Sequence, residues 1–298
     1  MIKTKSFKLW STPVRAEDSS MIPCAICAGS VFRPGLNCEG FNYVRCARCG
    51  LTQMNPQPSK ADVMRRYGDA FGKDYFSYEL ENEEPFLRLQ LLAFEDSGFD
   101  ALEENLFALS KGENAEPPHI LDIGCATGAL LARLRDRGWR VTGVEISPSA
   151  EYARDKRNLD IKTIPLEENH FPPESFDVIH ASHLIEHLND PRSFLSEVHR
   201  VLKPDGRIFI TTPNIDGFQA RLFGDRWRSA IFDHLYLFSA RTLKALITAS
   251  GFTVEGVYTW GGLGAGLAPS WLKKPADRMA KRLGVGDVML VKARKKEG

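Results

Sequence analysis

The stretch His119-Ile-Leu-Asp-Ile-Gly124 is a short apolar run that leads directly into the turn Gly124-Cys-Ala-Thr-Gly128. A helical pattern follows from Gly128 to Arg137. An apolar run, a glycine turn and a helix in this order are typical of a strand, turn and helix in a parallel sheet. Glycine allows the backbone to approach a ligand lying across the strand ends. The stretch therefore predicts a ligand-binding turn at the edge of such a sheet.

Short apolar runs continue to alternate with helical patterns from residue 119 almost to the end of the sequence. This alternation is the pattern of βαβ units, and it predicts a doubly wound α/β fold with a mostly parallel sheet. The further predicted strands are Arg140–Glu145, Phe176–Ser182, Gly206–Thr212, Phe252–Tyr258 and Asp287–Ala293, and the further predicted helices are Pro191–Lys203 and Ser239–Ser250.

An acidic residue ends the second strand. Glu145 lies 21 residues beyond Gly124, where a carboxylate can accept hydrogen bonds from ribose hydroxyls. The turn reads G-x-x-x-G instead of the G-x-G-x-x-G of dinucleotide-binding turns, and Asp122 stands two residues before its first glycine. A carboxylate at that point would repel a pyrophosphate and attract an ammonium group. Nicotinamide cofactors are therefore the weaker fit.

At these residues the sequence resembles the class I S-adenosylmethionine-dependent methyltransferases, from about His119 to Ala293. Leu121–Gly128 resembles their nucleotide turn, Gly143–Ser147 their ribose-binding strand end, and Phe176–His180 their fourth strand. The resemblance implies a Rossmann-like fold with a seven-stranded, mostly parallel sheet. It also implies an enzyme that uses S-adenosyl-L-methionine as its methyl donor.

The resemblance further implies which residues bind the cofactor. Asp122 and the backbone of the turn would hold its amino-acid end, and Glu145 would hold its ribose. Ile146 would cover one face of adenine, with Leu166 or Glu167 at the adenine edge. Tyr67, Tyr75 and Phe76 stand where related proteins close a lid, although core packing is the favoured interpretation of each. The remaining implied cofactor residues are Gly124, Cys125, Ala126, Thr127, Gly128, Ala181 and Ser182.

Four cysteines near the N-terminus form two C-x-x-C pairs. Cys24 and Cys27 are followed after 18 residues by Cys46 and Cys49, with Cys38 in the spacer. Each pair offers two sulfurs from one tight turn, and two such turns complete a tetrahedron around Zn²⁺. The spacing predicts a structural zinc ribbon, because four protein ligands leave no open position. A disulfide or a redox C-x-x-C is the alternative, and Cys38 is expected to be a spare thiol.

The organisation of the chain follows from these features. We expect a zinc ribbon over residues 1–58, a helical connector or lid over 59–115, and the methyltransferase core over 116–298. The turn-forming stretch Asn55-Pro-Gln-Pro-Ser59 separates the first two, and 61–67 and 84–110 have helical patterns.

His183-Leu-Ile-Glu186-His187 follows the fourth strand and contains the first candidate catalytic residues. In a helix, positions i, i+3 and i+4 would place both imidazoles and the carboxylate on one face. In one reading His187 only packs against the following helix. In a second, His187 acts as general base with His183 as its substitute. In a third, His183, Glu186 and His187 hold a second, divalent metal, because the resemblance implies that quinone-pathway O-methyltransferases place acids and a histidine here.

Two further observations bear on the catalytic residues. His234, in the stretch Asp233–Ser239, lies in the region that shapes the acceptor pocket in the related enzymes, and it is a further candidate base. His183-x-x-Glu186-His187 also matches the H-x-x-E-H pattern of metallopeptidases. A five-residue motif recurs by chance, and this one sits inside a region that the methyltransferase strands already explain.

Composition restricts the partners. The 298 residues carry 39 Lys and Arg against 38 Asp and Glu, so the net charge is +1, which argues against a general nucleic-acid binder. No apolar run approaches the ~18 residues that a membrane span needs, and the basic N-terminal stretch lacks the apolar segment of a secretory signal. We therefore expect a cytoplasmic protein that does not enter membranes. The oligomeric state is left open.

Together these features predict a methyltransferase for a small molecule of a natural-product, sugar or quinone type, with oxygen as the expected acceptor atom. One alternative is an RNA or protein methyltransferase that uses the ribbon to recognise its substrate. Sugar C-methyltransferases, some of which also carry a zinc ribbon, are a second alternative. A protein that binds the cofactor without catalysis is a third.

Overall fold

The computed structural model describes residues 21–38, 40–68, 70–112, 115–262 and 270–296. The basic N-terminal stretch, for which the sequence predicts no secretory signal, lies outside the described residues. The strands are β1 (Phe32–Cys38), β2 (Phe41–Cys46), β3 (Thr52–Met54), β4 (His119–Ile123), β5 (Arg140–Val144), β6 (Ile161–Lys162), β7 (Phe176–Ser182), β8 (Leu202–Pro213), β9 (Tyr236–Leu237), β10 (Phe252–Trp260) and β11 (Val288–Lys295). The helices are α1 (Lys60–Gly68), α2 (Ala70–Glu81), α3 (Glu83–Asp96), α4 (Phe99–Leu109), α5 (Ala129–Arg135), α6 (Ser149–Arg157), α7 (Pro191–Val201), α8 (Phe218–Phe223), α9 (Ala240–Ala249) and α10 (Ser270–Leu283).

The apolar runs after residue 118 form one seven-stranded sheet in the order β10-β11-β8-β7-β4-β5-β6. Strands β8, β7, β4, β5 and β6 are mutually parallel, while β11 pairs antiparallel with both β8 and β10. The predicted α/β, doubly wound, mostly parallel fold is confirmed, and each strand predicted between residues 119 and 293 is present. Strand β6 was not predicted, because two residues are too few to show a periodicity.

The sheet is covered on both faces. Along β4, Ile120 and Leu121 belong to two different apolar clusters, because successive side chains of a strand point to opposite faces. One cluster includes the buried leucines of α5, and the other includes those of α9. Loops at the carboxyl ends of the strands remain free to build a site.

Two of the helices that follow strands start at side chains that cap them. Helix α7 begins after Asp190, whose carboxylate accepts hydrogen bonds from the backbone N–H groups of Arg192 and Ser193 at 3.1 Å and 3.0 Å. Helix α9 begins with a capping box in which Ser239 and Thr242 exchange hydrogen bonds. Among the described residues, none of the helices combines the length and the apolarity needed to cross a membrane.

The N-terminal segment packs directly on the core. Strands β1, β2 and β3 form a second sheet whose fourth strand is β9, so Thr52 and Gln53 pair with Leu237 and Tyr236 of the core region. Apolar residues of this segment join the cluster on one face of the large sheet, so the described part of the segment shares that core. The boundaries at residues 58 and 115 stay predictions.

Candidate functional site

The turn after β4 has the backbone conformation that its glycines allow. Gly124 and Gly128 adopt φ values of 74° and 75°, in the left-handed region that favours glycine. A Cβ on Gly128 would lie 2.6 Å from Cδ1 of Leu159, so a larger residue could not replace it without displacing its neighbours. Ala126 shares the left-handed conformation with a φ of 50°. Cys125 and Thr127 are buried between these positions.

Glu145 joins this turn to the loop after β5. One carboxylate oxygen of Glu145 accepts a hydrogen bond from the N–H of Ala126 at 2.9 Å, and the other accepts from the N–H of Ser147 at 2.8 Å. Each oxygen keeps a second lone pair for a ligand hydroxyl. The structure therefore brings together the two segments that the sequence singled out for the cofactor's amino-acid end and ribose.

Asp122 lies buried at the end of β4 beside a residue that sequence reasoning missed. Its carboxylate oxygen is 2.7 Å from Nδ1 of His180, which occupies the paired position on β7. Strand register cannot be read from one sequence, so nothing local indicated this partner. His180 holds one oxygen of Asp122 and orients the carboxylate behind the turn.

The other predicted cofactor residues lie at the same edge of the sheet. Ile146 follows β5 and is half-buried. Leu166 is buried in the short 3-10 helix Leu166–Glu168, in which Glu167 is exposed. Ala181 and Ser182 end β7, next to the β4 turn. Their roles toward the cofactor stay predictions.

Helix α2, which precedes the large sheet in the sequence, packs on the loop after β5. The Glu79 side chain is buried and accepts a hydrogen bond from the hydroxyl of Ser149, at the start of α6. Phe76 packs against Tyr152 of α6, with the ring centroids 5.7 Å apart. Burial, together with the nearby carboxylate of Glu145, raises the pKa of Glu79 to about 8. A neutral carboxyl group therefore lies between α2 and Glu145 at neutral pH.

We expect Glu79→Gln to remove a pH dependence of stability. The folded protein binds this proton up to about pH 8, whereas the unfolded chain releases it near pH 4.5. The contribution of Glu79 to the free energy of unfolding is therefore greatest below pH 4.5. It decreases as the pH rises toward 8, because the unfolded chain then releases the proton while the folded protein keeps it. The variant should melt near the wild type at pH 5 and several degrees above it at pH 8.5, a difference on the order of a few kcal/mol. Thermal melts of the zinc-replete protein across this range check it, with the exposed Glu84→Gln as control. Parallel curves for wild type and Glu79→Gln would contradict the assignment.

The stretch after β7 is not the continuous helix that would align its three candidates. His183 has a left-handed φ of 52° and is 47% exposed, and only Ile185–His187 forms a single 3-10 turn. Nδ1 of His183 lies 3.3 Å from the Glu186 carboxylate. The ring of His187 turns away to a different set of partners. The ligand set His183, Glu186 and His187 therefore does not form one cluster, because the chain leaves the strand through a tight reversal.

His187 is held by a segment far away in the sequence. Its Nδ1 lies 2.9 Å from the carbonyl oxygen of Asp233 and 3.1 Å from the Asp233 carboxylate. The same carboxylate accepts a hydrogen bond from Arg66 of α1 at 3.2 Å. Burial acts to lower the pKa of His187, but the Asp233 carboxylate outweighs it and raises this pKa to about 8. Sequence reasoning assigned no role to Asp233 or Arg66.

His234 stands beside His187 with the ring centroids 4.7 Å apart. Its Nδ1 is 2.8 Å from the carbonyl oxygen of Ser229, so this nitrogen carries the proton and donates it. The Nε2 of the neutral ring is therefore left with a lone pair. Burial, reinforced by the positive charge of His187, lowers the pKa of His234 to about 4. His234 is neutral at physiological pH.

Glu186 completes the group. Its side chain is 0% exposed, and among the described residues neither carboxylate oxygen has a hydrogen-bond partner, although His183 Nδ1 lies 3.3 Å from one of them. Ligand atoms of Glu186, His187 and His234 all lie within 4.8 Å of one another. Burial acts to raise the pKa of Glu186, but the neighbouring histidines, His183 first, outweigh it and lower this pKa to about 2. We call Glu186, His187 and His234 the imidazole–carboxylate cluster. It contains two of the three predicted catalytic histidines and leaves out His183.

The four cysteine thiols form the second cluster. The sulfurs of Cys24 and Cys49 are 3.3 Å apart, those of Cys27 and Cys46 are 3.5 Å apart, and all four lie within 4.8 Å of one another. A tetrahedron with Zn–S bonds of about 2.3 Å places its sulfurs about 3.8 Å apart. The cysteines are free, and Cys38 lies apart with its thiol near the carbonyl oxygen of Asp225. The donor set therefore fits a structural zinc ion.

Comparison with known proteins shows that this chain matches one protein family. A family model described as a methyltransferase domain matches residues 94–257. The chain is 35% identical over 102 residues to a ubiquinone biosynthesis O-methyltransferase of Idiomarina loihiensis, covering 32% of this chain and 42% of the relative. It is 32% identical over 106 residues to the protein of that name from Pseudomonas aeruginosa, covering 32% and 44%. The chain thus matches less than half the length of these curated relatives.

Solved structures are also similar to this chain. A methyltransferase from Archaeoglobus fulgidus, described as dependent on S-adenosylmethionine, has a TM-score of 0.46 and 19% sequence identity. The similarity covers 67% of this chain and 94% of that one. The family match spans the β4 turn, Glu145 and the imidazole–carboxylate cluster, while the four cysteines and α1 lie outside it.

Proposed function

This chain belongs to the class I S-adenosylmethionine-dependent methyltransferases, and from that premise we propose that it methylates a hydroxyl group of a small molecule. Bound S-adenosylmethionine would supply the methyl group as an electrophile on a sulfonium. An oxygen of the acceptor attacks the methyl carbon, and the carbon–sulfur bond breaks with its electron pair going to sulfur. The hydroxyl proton passes to a base on the protein. The products are a methyl ether, S-adenosylhomocysteine and a proton.

One observation carries this proposal. The β4 turn follows one strand, and Glu186 and His187 of the imidazole–carboxylate cluster lie in the loop after the neighbouring parallel strand β7. A Cβ on Gly124 would lie 3.6 Å from a side-chain carbon of Leu184, two residues before Glu186. The loop that contains two members of the cluster therefore borders the turn that would bind the cofactor. Methyl transfer chiefly requires such positioning of donor, acceptor and base.

His234 is the residue that we assign as base. Its ring is neutral at physiological pH and its Nε2 is free to accept a proton. Although its pKa of about 4 makes it a weak base, an oxygen that is gaining a methyl group holds its proton only weakly. The adjacent Glu186 carboxylate then stabilises the imidazolium that forms. His187, paired with Asp233, keeps its position and its charge beside them.

A second candidate is a divalent cation at the same cluster, and the fully buried carboxylate of Glu186, which is 3.3 Å from the exposed His183 ring, favours it. The donor set fits, because both histidines direct their Nδ1 atoms to protein oxygens, as metal-ligating histidines do. The ligands would be Glu186, His187 and His234, so His234 takes the place that the sequence suggested for His183. Such an ion would act as a Lewis acid that lowers the pKa of the acceptor hydroxyl.

Replacement of Glu186 separates the two candidates. If a cation binds, calorimetric titration of zinc-replete protein with Mn²⁺ should show one site beyond the ribbon. Glu186→Gln should weaken that site by a factor of 10 or more, because a neutral amide replaces its anionic ligand. His183→Gln, which removes a contact of Glu186 but none of the three ligands, is the comparison and should weaken Mn²⁺ binding less than Glu186→Gln does. Absence of Mn²⁺ and Mg²⁺ binding by the wild type would leave His234 as a base without a metal.

Three features support a small acceptor over the alternatives. The relatives named above are O-methyltransferases of a small-molecule pathway. The net charge of +1 offers no general attraction for RNA. The ribbon pairs its strand β3 with β9, which occupies that edge and ties the ribbon to the core. An RNA or protein substrate and a sugar carbon acceptor remain the outcomes that the experiment must distinguish.

The test uses zinc-replete full-length protein. S-Adenosylmethionine and S-adenosylhomocysteine should raise its melting temperature, because a ligand of the folded state stabilises it. Tritium from the labelled methyl donor should then enter an acid-stable ether when phenols, catechols and sugar nucleotides are supplied. No thermal shift would overturn the cofactor site. Label in RNA, in protein or on a sugar carbon would overturn the proposed acceptor class.

A further inference from the structure

The backbone around His234 is fixed by a tyrosine of the N-terminal ribbon. Residues Ile231 to His234 form a turn closed by a hydrogen bond from the N–H of His234 to the carbonyl of Ile231 at 3.1 Å. The hydroxyl of Tyr43 lies 2.8 Å from the carbonyl oxygen of Ile231 and 2.7 Å from that of His234. A phenol has one proton, so the two carbonyls at the ends of the turn share it. Tyr43 is 1% exposed, and water cannot replace this contact.

Tyr43 lies on β2, which forms a hairpin with β3. This β2–β3 hairpin also contacts the residues that follow His234. The N–H of Met54 donates to the carbonyl of Leu235 at 2.8 Å, and β3 then pairs with β9. On its other side, the N–H of Leu235 donates to the carbonyl of Glu186 at 2.7 Å. The backbone that carries His234 is therefore held between the ribbon and the Glu186 segment. Both remaining members of the imidazole–carboxylate cluster lie in that segment.

The cysteine cluster forms the end of this hairpin. Strand β2, which contains Tyr43, ends at Cys46, and β3 begins after Cys49 and Leu51. The N–H of Cys46 donates to the carbonyl of Leu51 at 2.8 Å, which closes the turn between the two strands. The pair Cys46 and Cys49 thus lies in the connection whose two strands contact the turn at His234. Metal bound to the four thiols would hold that connection together.

We propose that the ribbon is part of the acceptor site and that Tyr43 is a positioning residue for His234. The inference rests on the proposed function, in which Nε2 of His234 receives the acceptor proton. Tyr43 fixes the two carbonyls of the turn, and the turn fixes where the imidazole lies. Displacement of a catalytic group by about 1 Å can reduce the rate 10²-fold without contact between the altered residue and the substrate. The ribbon therefore has a role that the family match, which begins at residue 94, does not include.

The chain offers a matched control. The hydroxyl of Tyr236, also buried, donates to a single backbone carbonyl, that of Asn189, at 3.0 Å. Tyr236→Phe removes a tyrosine-to-carbonyl hydrogen bond of the same kind from the same region. It leaves the contacts of the Ile231–His234 turn with Tyr43 in place. A purely structural role for Tyr43 predicts that Tyr43→Phe and Tyr236→Phe behave alike.

The experiment compares these two variants by zinc content, cofactor affinity, turnover and the state of the His234 ring. Both variants should retain one zinc and bind S-adenosylhomocysteine within twofold of the wild type. Tyr43→Phe should lower kcat tenfold or more with little change in KM for the methyl donor, while Tyr236→Phe should lower it less than twofold. In ¹⁵N-histidine-labelled protein, with His234 assigned by His234→Gln, the distinct Nδ1 and Nε2 shifts of the wild type should move toward each other only in Tyr43→Phe.

The outcomes separate this inference from the proposed function. Equal effects of both tyrosine variants on turnover and on the His234 shifts would overturn the positioning role. If His234→Gln keeps full turnover, the assignment of the base is wrong. The histidine shifts then still report whether Tyr43 fixes the ring, because that readout requires no acceptor.

Discussion

Replacement of His234 by glutamine is expected to lower kcat by a factor of about 10² to 10⁴, the usual contribution of a positioned general base. Glutamine approximates the size of imidazole but cannot accept the acceptor proton. Since His234 lies in the late segment before α9 and not in the cofactor turn, binding of S-adenosylmethionine should stay within twofold of the wild type. Steady-state kinetics with the acceptor found by the labelling screen, together with calorimetry for the cofactor, measure both quantities.

His183→Gln is the control for this prediction. His183 was the second of the three candidates, but it is exposed and stands outside the imidazole–carboxylate cluster. Its replacement removes a contact of the buried Glu186 but not the proposed base, so the loss in kcat should be clearly smaller than that of His234→Gln. Equal losses in His183→Gln and His234→Gln would count against the cluster as the place of proton transfer.

Loss of one zinc ligand should have the second large effect, and Cys46→Ser tests it. Structural zinc sites contribute on the order of 10 kcal/mol to the folding of the segment that they hold. The ribbon shares its apolar cluster with the core through residues such as Tyr43 and Met54, so its opening would expose buried surface in both. We expect less than one zinc per chain, a melting temperature lower by 10 °C or more, on the order of several kcal/mol, and turnover reduced at least 10²-fold. Elemental analysis, thermal melts and the methyl-transfer assay check these three results.

Cys38→Ser provides the matched control, because Cys38 lies in the same ribbon but outside the four-sulfur cluster. It should retain the zinc content and the turnover of the wild type. A Cys46→Ser protein with full zinc content, or a Cys38→Ser protein without zinc, would refute the assignment of the four ligands.

Features that depend on neighbours in the chain were predictable. The strand and turn from His119 to Gly128 follow from apolar periodicity and from glycine, and the structure has them there. The spacing of the four cysteines identified a cluster that the structure brings within 4.8 Å. Glu145 was singled out by its place at the end of a strand, and its carboxylate does contact the turn. Each of these signals is local, because strand and turn propensities act over a few residues.

The candidate site itself depends on contacts between distant segments. The helical alignment of His183, Glu186 and His187 was wrong, because the chain reverses at His183 after the strand. His187 instead meets Asp233 and His234, more than forty residues later, and Arg66 approaches from α1. Such pairs are set by strand register and helix packing, for which one sequence contains no measure.

The amino-acid sequence by itself determined the α/β class, the β4 turn with its acidic partner Glu145, and the cluster of four thiols. Apolar periodicity, glycine conformation and ligand spacing depend only on short stretches of sequence. Only the tertiary structure decided that Glu186, His187 and His234 form one buried cluster and that Tyr43 of the ribbon holds the turn at His234. The physical reason is that side chains become buried and form these hydrogen bonds only when distant segments pack together. The packed sheet, and not the order of residues, brings those segments into contact.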